Sequence, residues 1–295
     1  MKKQHILKRE DYIKTFNKKQ EELLKHYYKA KALIGKAGIT EISKKTKIPM
    51  GRLSNWIRKD PKTPFSVRCL VKAAKRNYFK LDKNSKIAED LSYLVGYNLG
   101  DGNIHRALCN TWFYGVSTDL PIINNLLQSF SVQGKIHVYK IDNGKLCVSD
   151  NSFTRLMVAV GCPIGDKTKS NFMIPKWIMR TEEKSAIKRM FLQGLFDSEL
   201  SNMQLIKGRK FAFQSLKFYN IKTENLVEEG KKYLNELRAL LEEFDISSGE
   251  TKEDRTYSRS RDQANMVQLY FVIHFNYLNL NKNISNVGFL DNSKR

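Results

Sequence analysis

The chain has 295 residues, 41% hydrophobic and 11% aromatic, which is enough apolar material for roughly two folded domains and too much for a disordered chain. Its four cysteines (Cys69, Cys109, Cys147, Cys162) make no C-x-x-C pair and no Cys/His cluster of zinc-ligand spacing, which excludes a disulfide scaffold or a zinc finger and points to a reducing, cytoplasmic compartment. The formal charge of +22 is uneven: residues 1–86 hold 25 Lys+Arg against 7 Asp+Glu, a surplus of +18, and lysines that displace counterions favour a polyanion as partner.

The start, Met1-Lys2-Lys3-Gln4-His5, leads into no apolar stretch, and nowhere do about 18 apolar residues run together, so secretion and membrane spanning are not expected. Residues 10–36 read as helical. Two short helices follow, Ile39 to Thr46 and Met50 to Arg58, separated by Lys47-Ile48-Pro49. Ile42, Ile48, Leu53 and Ile57 would form their inner face. The pattern matches a helix-turn-helix, whose second helix lies in the DNA major groove. Arg52, Ser54, Asn55 and Arg58 would then point outward, and Arg can pair with guanine and Asn with adenine. The plain alternative is a small bundle with solvated lysines. Asp60-Pro61-Lys62-Thr63-Pro64 closes the second helix, and the lysine-rich stretch to Lys86 reads as a connector. The basic domain is thus residues 1–85.

Two later segments repeat each other, Leu94-Val95-Gly96-Tyr97-Asn98-Leu99-Gly100-Asp101-Gly102 and Leu192-Gln193-Gly194-Leu195-Phe196-Asp197-Ser198-Glu199-Leu200. Aligned at Gly96 and Gly194, each carries an acid five residues on, Asp101 and Glu199. Glycine inside a helix costs roughly 1 kcal/mol relative to alanine, so its presence asks for a reason. Gly96 and Gly100 share one helical face, as do Gly194 and Ser198, and small residues there let two backbones approach closely. Packed together, the two helices would bring their terminal acids side by side. Further landmarks recur in order: Leu126 to Val132 matches Leu240 to Ile246, and Val160-Gly161 before Lys167 matches Val287-Gly288 before Lys294.

Strand signals fit the same unit. Gly134 to Ile141, a turn at Asp142-Asn143-Gly144, and Lys145 to Ser149 form an expected hairpin. Ile136, Val138, Leu146 and Val148 would face inward, with Lys135, His137, Tyr139, Lys145 and Ser149 on the open face. In the second copy Phe211 and Phe213 would point in, opposite Lys210, Ala212 and Gln214. Arg255, Tyr257, Arg259 and Arg261 alternate with Thr256, Ser258 and Ser260, either along one strand face or in a flexible basic loop.

These residues resemble the two-repeat, single-chain LAGLIDADG homing endonucleases, over about residues 86–295. The resemblance implies an α+β fold in which an αββαββα unit is duplicated as a pseudo-dimer, with repeats at 86–180 and 181–295. Two four-stranded sheets would form a saddle over double-stranded DNA, and the chain would be a monomer with internal pseudo-two-fold symmetry. The resemblance also implies that Asp101 and Glu199 bind Mg2+ (or Mn2+), one acid serving each DNA strand, and that Lys167 and Lys294 are the basic residues near each cleavage centre. Either carboxylate supplies the hard oxygen that magnesium prefers. Leu200 departs from the pattern, standing where the first copy has Gly102, and a leucine there would bear on where Glu199 sits.

Three functions compete. The first is a site-specific DNA endonuclease, the second a transcription regulator using the same two modules for grip, and the third a maturase acting on intron RNA. Retention of both acids favours the enzyme, and Leu200 with the basic helix-turn-helix favours the regulator. No G-x-x-x-x-G-K-[ST] or G-x-G-x-x-G motif supports an ATP-driven or redox role. The chain begins with neither Cys nor Ser and does not end in His-Asn, which disfavours an intein.

Overall fold

A computed structural model describes residues 5–57, 62–140, 143–200, 216–274 and 277–290. The chain divides into two compact units, Leu7–Lys80 and Leu81–Arg295, the second joined by Met1–Ile6.

The smaller unit is helical: α1 (Arg9–Ile13), α2 (Lys18–Lys31), α3 (Ile39–Thr46), α4 (Met50–Ile57) and α5 (Phe65–Lys75). The single helix expected over 10–36 is broken at Asn17, whose side chain accepts from Gln20 N while Gln20 returns the bond to Asn17 N. This reciprocal cap satisfies donors that a helix start leaves open, so α2 begins there. Between α3 and α4, Lys47 takes a left-handed conformation (φ 57°) and ends α3. Ile42, Ile48 and Leu53 are buried, as the sequence suggests, but Ile57 is 40% exposed and Trp56 takes its place against Tyr27, ring centroids 5.5 Å apart. Leu53, Trp56 and Ile57 share one broad helical face, and Trp56 lies on the flank of it that meets Tyr27. The expected connector is also corrected. Val67, Leu70 and Ala73 give α5 an apolar side that completes this core.

The larger unit is built around two 14-residue helices, α6 (Lys86–Leu99) and, later in the chain, α10 (Ala186–Glu199). Ser85 caps α6 by accepting from Ala88 N, and Ser185 caps α10 by accepting from Lys188 N. Between them come β1 (Gly102–Ile104), β2 (Thr111–Gly115), α7 (Asp119–Gln128), β3 (Lys135–Lys140), β4 (Asn143–Val148), α8 (Asn151–Ala159), a 3-10 turn (Lys167–Lys169) and α9 (Lys176–Met179). After α10 follow β5 (Leu216–Thr223), α11 (Val227–Glu242), β6 (Lys252–Arg259), β7 (Ala264–Ile273) and α12 (Tyr277–Lys282). Among the described residues no helix is long and apolar enough to cross a membrane.

Two antiparallel sheets result, a four-stranded one of order β1-β2-β4-β3 and a three-stranded one of order β5-β7-β6. Each buries one face, as amphipathic antiparallel sheets do. In the first sheet Ile104, Phe113, Leu146 and Val148 are buried; in the second, Leu216, Phe218, Leu269, Phe271 and Ile273. Lys210, Phe211, Phe213 and Gln214 lie outside the described residues, so the expected fourth strand of the second sheet does too. One inward assignment fails: Val138 is 61% exposed, because β3 is an edge strand and the β3/β4 ladder bulges between Val138 and Lys140. Arg261 also departs from its expected strand, since β6 ends at Arg259 and Arg261 sits in the turn to β7.

The two halves share local detail. Three residues past the end of α7, Ser131 takes a left-handed conformation (φ 52°), and three past the end of α11, Asp245 does likewise (φ 60°). The next residues, Val132 and Ile246, return their N–H groups to Leu127 O and Leu241 O at 3.2 and 3.1 Å.

Candidate active site

The centre of the larger unit is the contact between α6 and α10. A Cβ added to Gly96 would lie 2.1 Å from the carbonyl oxygen of Phe191, and one on Gly194 would lie 2.1 Å from that of Tyr93. Only hydrogen fits at either point, which explains both mid-helix glycines. One step further, a Cβ on Gly100 would overlap Ser198 Oγ and reach within 2.9 Å of Glu199 Cγ. Backbone contact at these positions brings the two helix ends together.

Those ends open into a cavity of ≈ 320 Å³ lined by both Asp101 and Glu199, together with Tyr97, Asp119, Asp197 and Leu200. Asp101 and Glu199 are exposed at its mouth. Although Glu199 reaches solvent, desolvation of its carboxyl and then the charge of Asp101 push its pKa up to about 7, against the opposing pull of Lys167. The deeper acids are held by phenols. Tyr93 donates to Asp197 Oδ2 at 2.7 Å and Tyr97 to Asp119 Oδ2 at 3.3 Å. Burial first, and then these carboxylates, raise both tyrosines above the usual phenol range, so they remain donors.

Lys167 comes to this centre from the 3-10 turn. Its ammonium donates to the carbonyls of Asn98 (3.2 Å), Leu99 (3.0 Å) and Gly100, where α6 leaves carbonyls open. Desolvation lowers its pKa, while Glu199 and then Asp101 resist that shift. Two carboxylates that repel each other, one of them driven toward neutrality, form a donor set a divalent cation would relieve. Hard oxygen ligands of this kind fit magnesium or manganese. Lys294 lies outside the described residues.

Leu200 does not strain the site. Its backbone is extended (φ −95°, ψ 130°), its side chain is buried, and α10 runs through Glu199. A leucine reaching the core at this point needs no positive φ, so the expectation that it bears on Glu199 through backbone conformation is corrected.

The open faces of the sheets carry cations among aromatic rings. On the first, Lys135, His137 and Lys145 share a face with Trp112 and Tyr114, and Lys145 Nζ lies 5.8 Å from the Trp112 ring and 5.3 Å from that of Tyr139. On the second, Arg255 Cζ lies 5.5 Å from the Tyr257 ring, and Lys217 Nζ lies 4.9 Å from that of Tyr270. Arg259 and Arg261 are committed elsewhere. Arg259 pairs with Asp262 (2.7 Å) and Asp166 (3.1 Å), and Arg261 with Asp166 (2.6 Å). Sequence reasoning missed Trp112, Tyr114, Lys217 and Tyr270, although their alternation with Phe113, Leu216, Phe218 and Phe271 marks the same outward face. In the smaller unit, Arg52 is exposed and Ser54 and Asn55 are half-buried on α4, while Arg58 lies outside the described residues.

No family model matches the chain. Among curated proteins it is similar to a tRNA-splicing ligase RtcB of Methanopyrus kandleri (28% identity over 54% of this chain and 17% of the relative). It is similar also to the RNA polymerase subunit Rpo1N (31%, over 58% and 14%) and the replication factor C small subunit (24%, over 62% and 10%) of Methanocaldococcus jannaschii. The chain therefore spans less than a fifth of each relative, at most 17%. Among solved structures it is similar to full-length DUF199/WhiA from Thermatoga maritima (16% identity, TM-score 0.39, covering 74% of this chain and 61% of that one). A second is the meganuclease I-SmaMI bound to uncleaveable DNA (12%, TM-score 0.36, 69% and 86%).

Proposed function

We propose that the larger unit is a site-specific, metal-dependent double-strand DNA endonuclease of the LAGLIDADG homing type. The observation that carries the reading is the pair Asp101 and Glu199, delivered to one cavity by two helices that touch through Gly96 and Gly194, with Lys167 beside them. Asp101 and Glu199 would hold Mg2+ or Mn2+, which when bound supplies an activated water and neutralises charge at the phosphorus. Lys167 would supply positive charge near the centre, where a phosphate oxygen gains negative charge during cleavage. Lys145, Lys217 and Arg255, spread over two open sheet faces, suit a polyanionic backbone, and the rings beside them add contact area.

A duplicated unit is part of this proposal. Asp90 of α6 accepts from Ser129 Oγ at 2.6 Å, and Lys188 of α10 pairs with Glu243 at 2.7 Å. With Gly96 aligned to Gly194 and Phe130 to Phe244, these two contacts occupy matching positions. The curated relatives fit a mobile element as well. A ligase, a polymerase subunit and a replication factor differ in function, and each is matched over a small part of its length. A segment found beside such different functions is independent of them.

The test is nicking and linearisation of plasmids carrying candidate sites, in magnesium or manganese, with calcium as a binding-only control. Cutting that needs a divalent metal and both acids is the expected result; tight binding with no cut in either metal would sink the enzyme. The second reading is a DNA-binding regulator. What favours it is the +18 surplus over residues 1–86, with Arg52 exposed on α4. Under that reading α3 and α4 are a helix-turn-helix, and Arg52→Ala in the full chain changes which sequence is bound without affecting any cut. An intron RNA that competed with duplex DNA for the sheet faces would point instead to a maturase.

A further inference from the structure

We infer that Lys222, buried beneath the second sheet, is the positioning residue for Lys167, and that this brace belongs to the second half of the larger unit; the inference rests on the nuclease reading. Lys222 lies on the inner face of β5 and is fully buried. Its ammonium donates to Lys167 O at 2.9 Å and Ser170 O at 2.8 Å, and lies 3.9 Å from the centre of the Phe172 ring. The two carbonyls flank the 3-10 turn, so one side chain fixes the backbone on which Lys167 is mounted. Space for its stem comes from α11, where a Cβ on Gly230 would lie 2.8 Å from Lys222 Cγ.

A buried ammonium is costly, and its presence asks for a return. Desolvation and then the charge of Lys167 lower its pKa to about 8. A polar network buried this way specifies one local geometry when its donors are matched. Here that geometry is transmitted directly: the turn sets Lys167, and Lys167 Nζ ties the last carbonyls of α6, Asn98 and Leu99, and that of Gly100, which precedes Asp101. The outer side of the turn is held as well, by Lys169 pairing with Asp262 at 2.6 Å.

The first half lacks this side chain. In sequence Phe113-Tyr114-Gly115-Val116-Ser117-Thr118-Asp119 aligns with Phe218-Tyr219-Asn220-Ile221-Lys222-Thr223-Glu224, which matches Ser117, exposed just past β2, to Lys222. A serine has no ammonium to offer. The two strand cuts should therefore differ in their dependence on Lys222.

The test uses the full chain carrying Lys222→Met or Gly230→Ala, each checked for a cooperative melt. Gly230→Ala keeps the ammonium while its methyl presses on the Lys222 stem and on Leu269 Cδ1 (2.6 Å), and decides by the same readouts should Lys222→Met not fold. With DNA saturating, displacement of Lys167 should slow cleavage of one strand about tenfold, accumulating nicked circle, because small misplacements cost rate steeply. Affinity in calcium should stay within about twofold. In the metal-free protein, amide exchange across 167–170 should quicken about tenfold as the turn loosens. Unchanged exchange in a folded variant, or both strands slowing alike, overturns the brace. A wild type that cuts nothing while exchange still responds leaves the brace standing and removes the nuclease.

Discussion

Asp101 and Glu199 reach one cavity along different backbones. α6 ends at Leu99, and Asp101 lies past that end, where the chain turns into β1. There a Cβ on Gly102 would lie 2.4 Å from Asn98 Cα, so the turn admits only glycine. α10 instead runs through Glu199, and Leu200 leaves it extended with its side chain in the core. Glycine after the first acid thus answers the backbone folded over it rather than the acid itself. Leucine after the second does a different job, as an anchor. The acids can be matched in place without being matched in how they are held.

The largest effects should come from the acids. Asp101→Asn and Glu199→Gln keep shape but remove charge, and each should lower cleavage in magnesium roughly a thousandfold, while DNA affinity holds or rises. Plasmid nicking measures the first and a calcium binding titration the second. A variant that kept wild-type cutting would show that its acid is not part of the centre.

The residues after the acids sharpen the comparison next. Leu200→Gly removes a buried side chain and should cost about 2–4 kcal/mol in urea unfolding, with no gain in cutting. Gly102→Ala forces a methyl into Asn98 and should cost about 1–3 kcal/mol. A stabilised or more active Leu200→Gly protein would mean that the leucine strains Glu199 after all.

Lys222 against Ser117 gives a pH-dependent contrast. The folded-state pKa of Lys222, about 8, lies below the ordinary 10.5, so between those values the unfolded chain binds more protons than the native one. Its contribution to stability is fully present above pH 10.5 and is lost as pH falls through 8. Relative to Lys222→Met, the wild type should gain about 2–3 kcal/mol when pH rises from about 8 to about 10.5. A flat difference in urea midpoints would place Lys222 in a wetter setting. Ser117→Ala should show no such slope.

Much of the centre was legible in sequence because glycine in a helix is costly and two such helices share an acid at one offset. The first sheet's open face was legible from alternation, but not Val138, whose exposure depends on edge position and a bulge. α5 was hidden by Lys72 and Lys75, which dilute the apolar spacing of Val67, Leu70 and Ala73. Lys222 escaped notice because lysine in a strand reads as outward. Its parity with Leu216 and Phe218 places it inward, a signal that outranks residue type.

The smallest predicted effect separates the two sheets in their contact with DNA. Lys145 stands on the open face of the first sheet, its ammonium directed to Tyr139 and Trp112 rather than to a carboxylate. The Tyr139 hydroxyl raises its pKa, so it stays charged throughout the neutral range. Arg259 ends β6 of the second sheet with its guanidinium already paired to Asp262 and Asp166. A phosphate can replace an aromatic neighbour at little cost, but must compete with a carboxylate already in place. Lys145→Ala should therefore lower DNA affinity by about 1 kcal/mol and reduce the slope of log affinity against log salt by about 0.9, one released counterion. Arg259→Ala should change neither by as much, because removing a guanidinium that neutralises two acids does not free a phosphate contact. Filter binding across a salt series measures both slopes. Equal losses would mean that Arg259 leaves its acids for DNA, and that the second sheet grips the backbone as the first does.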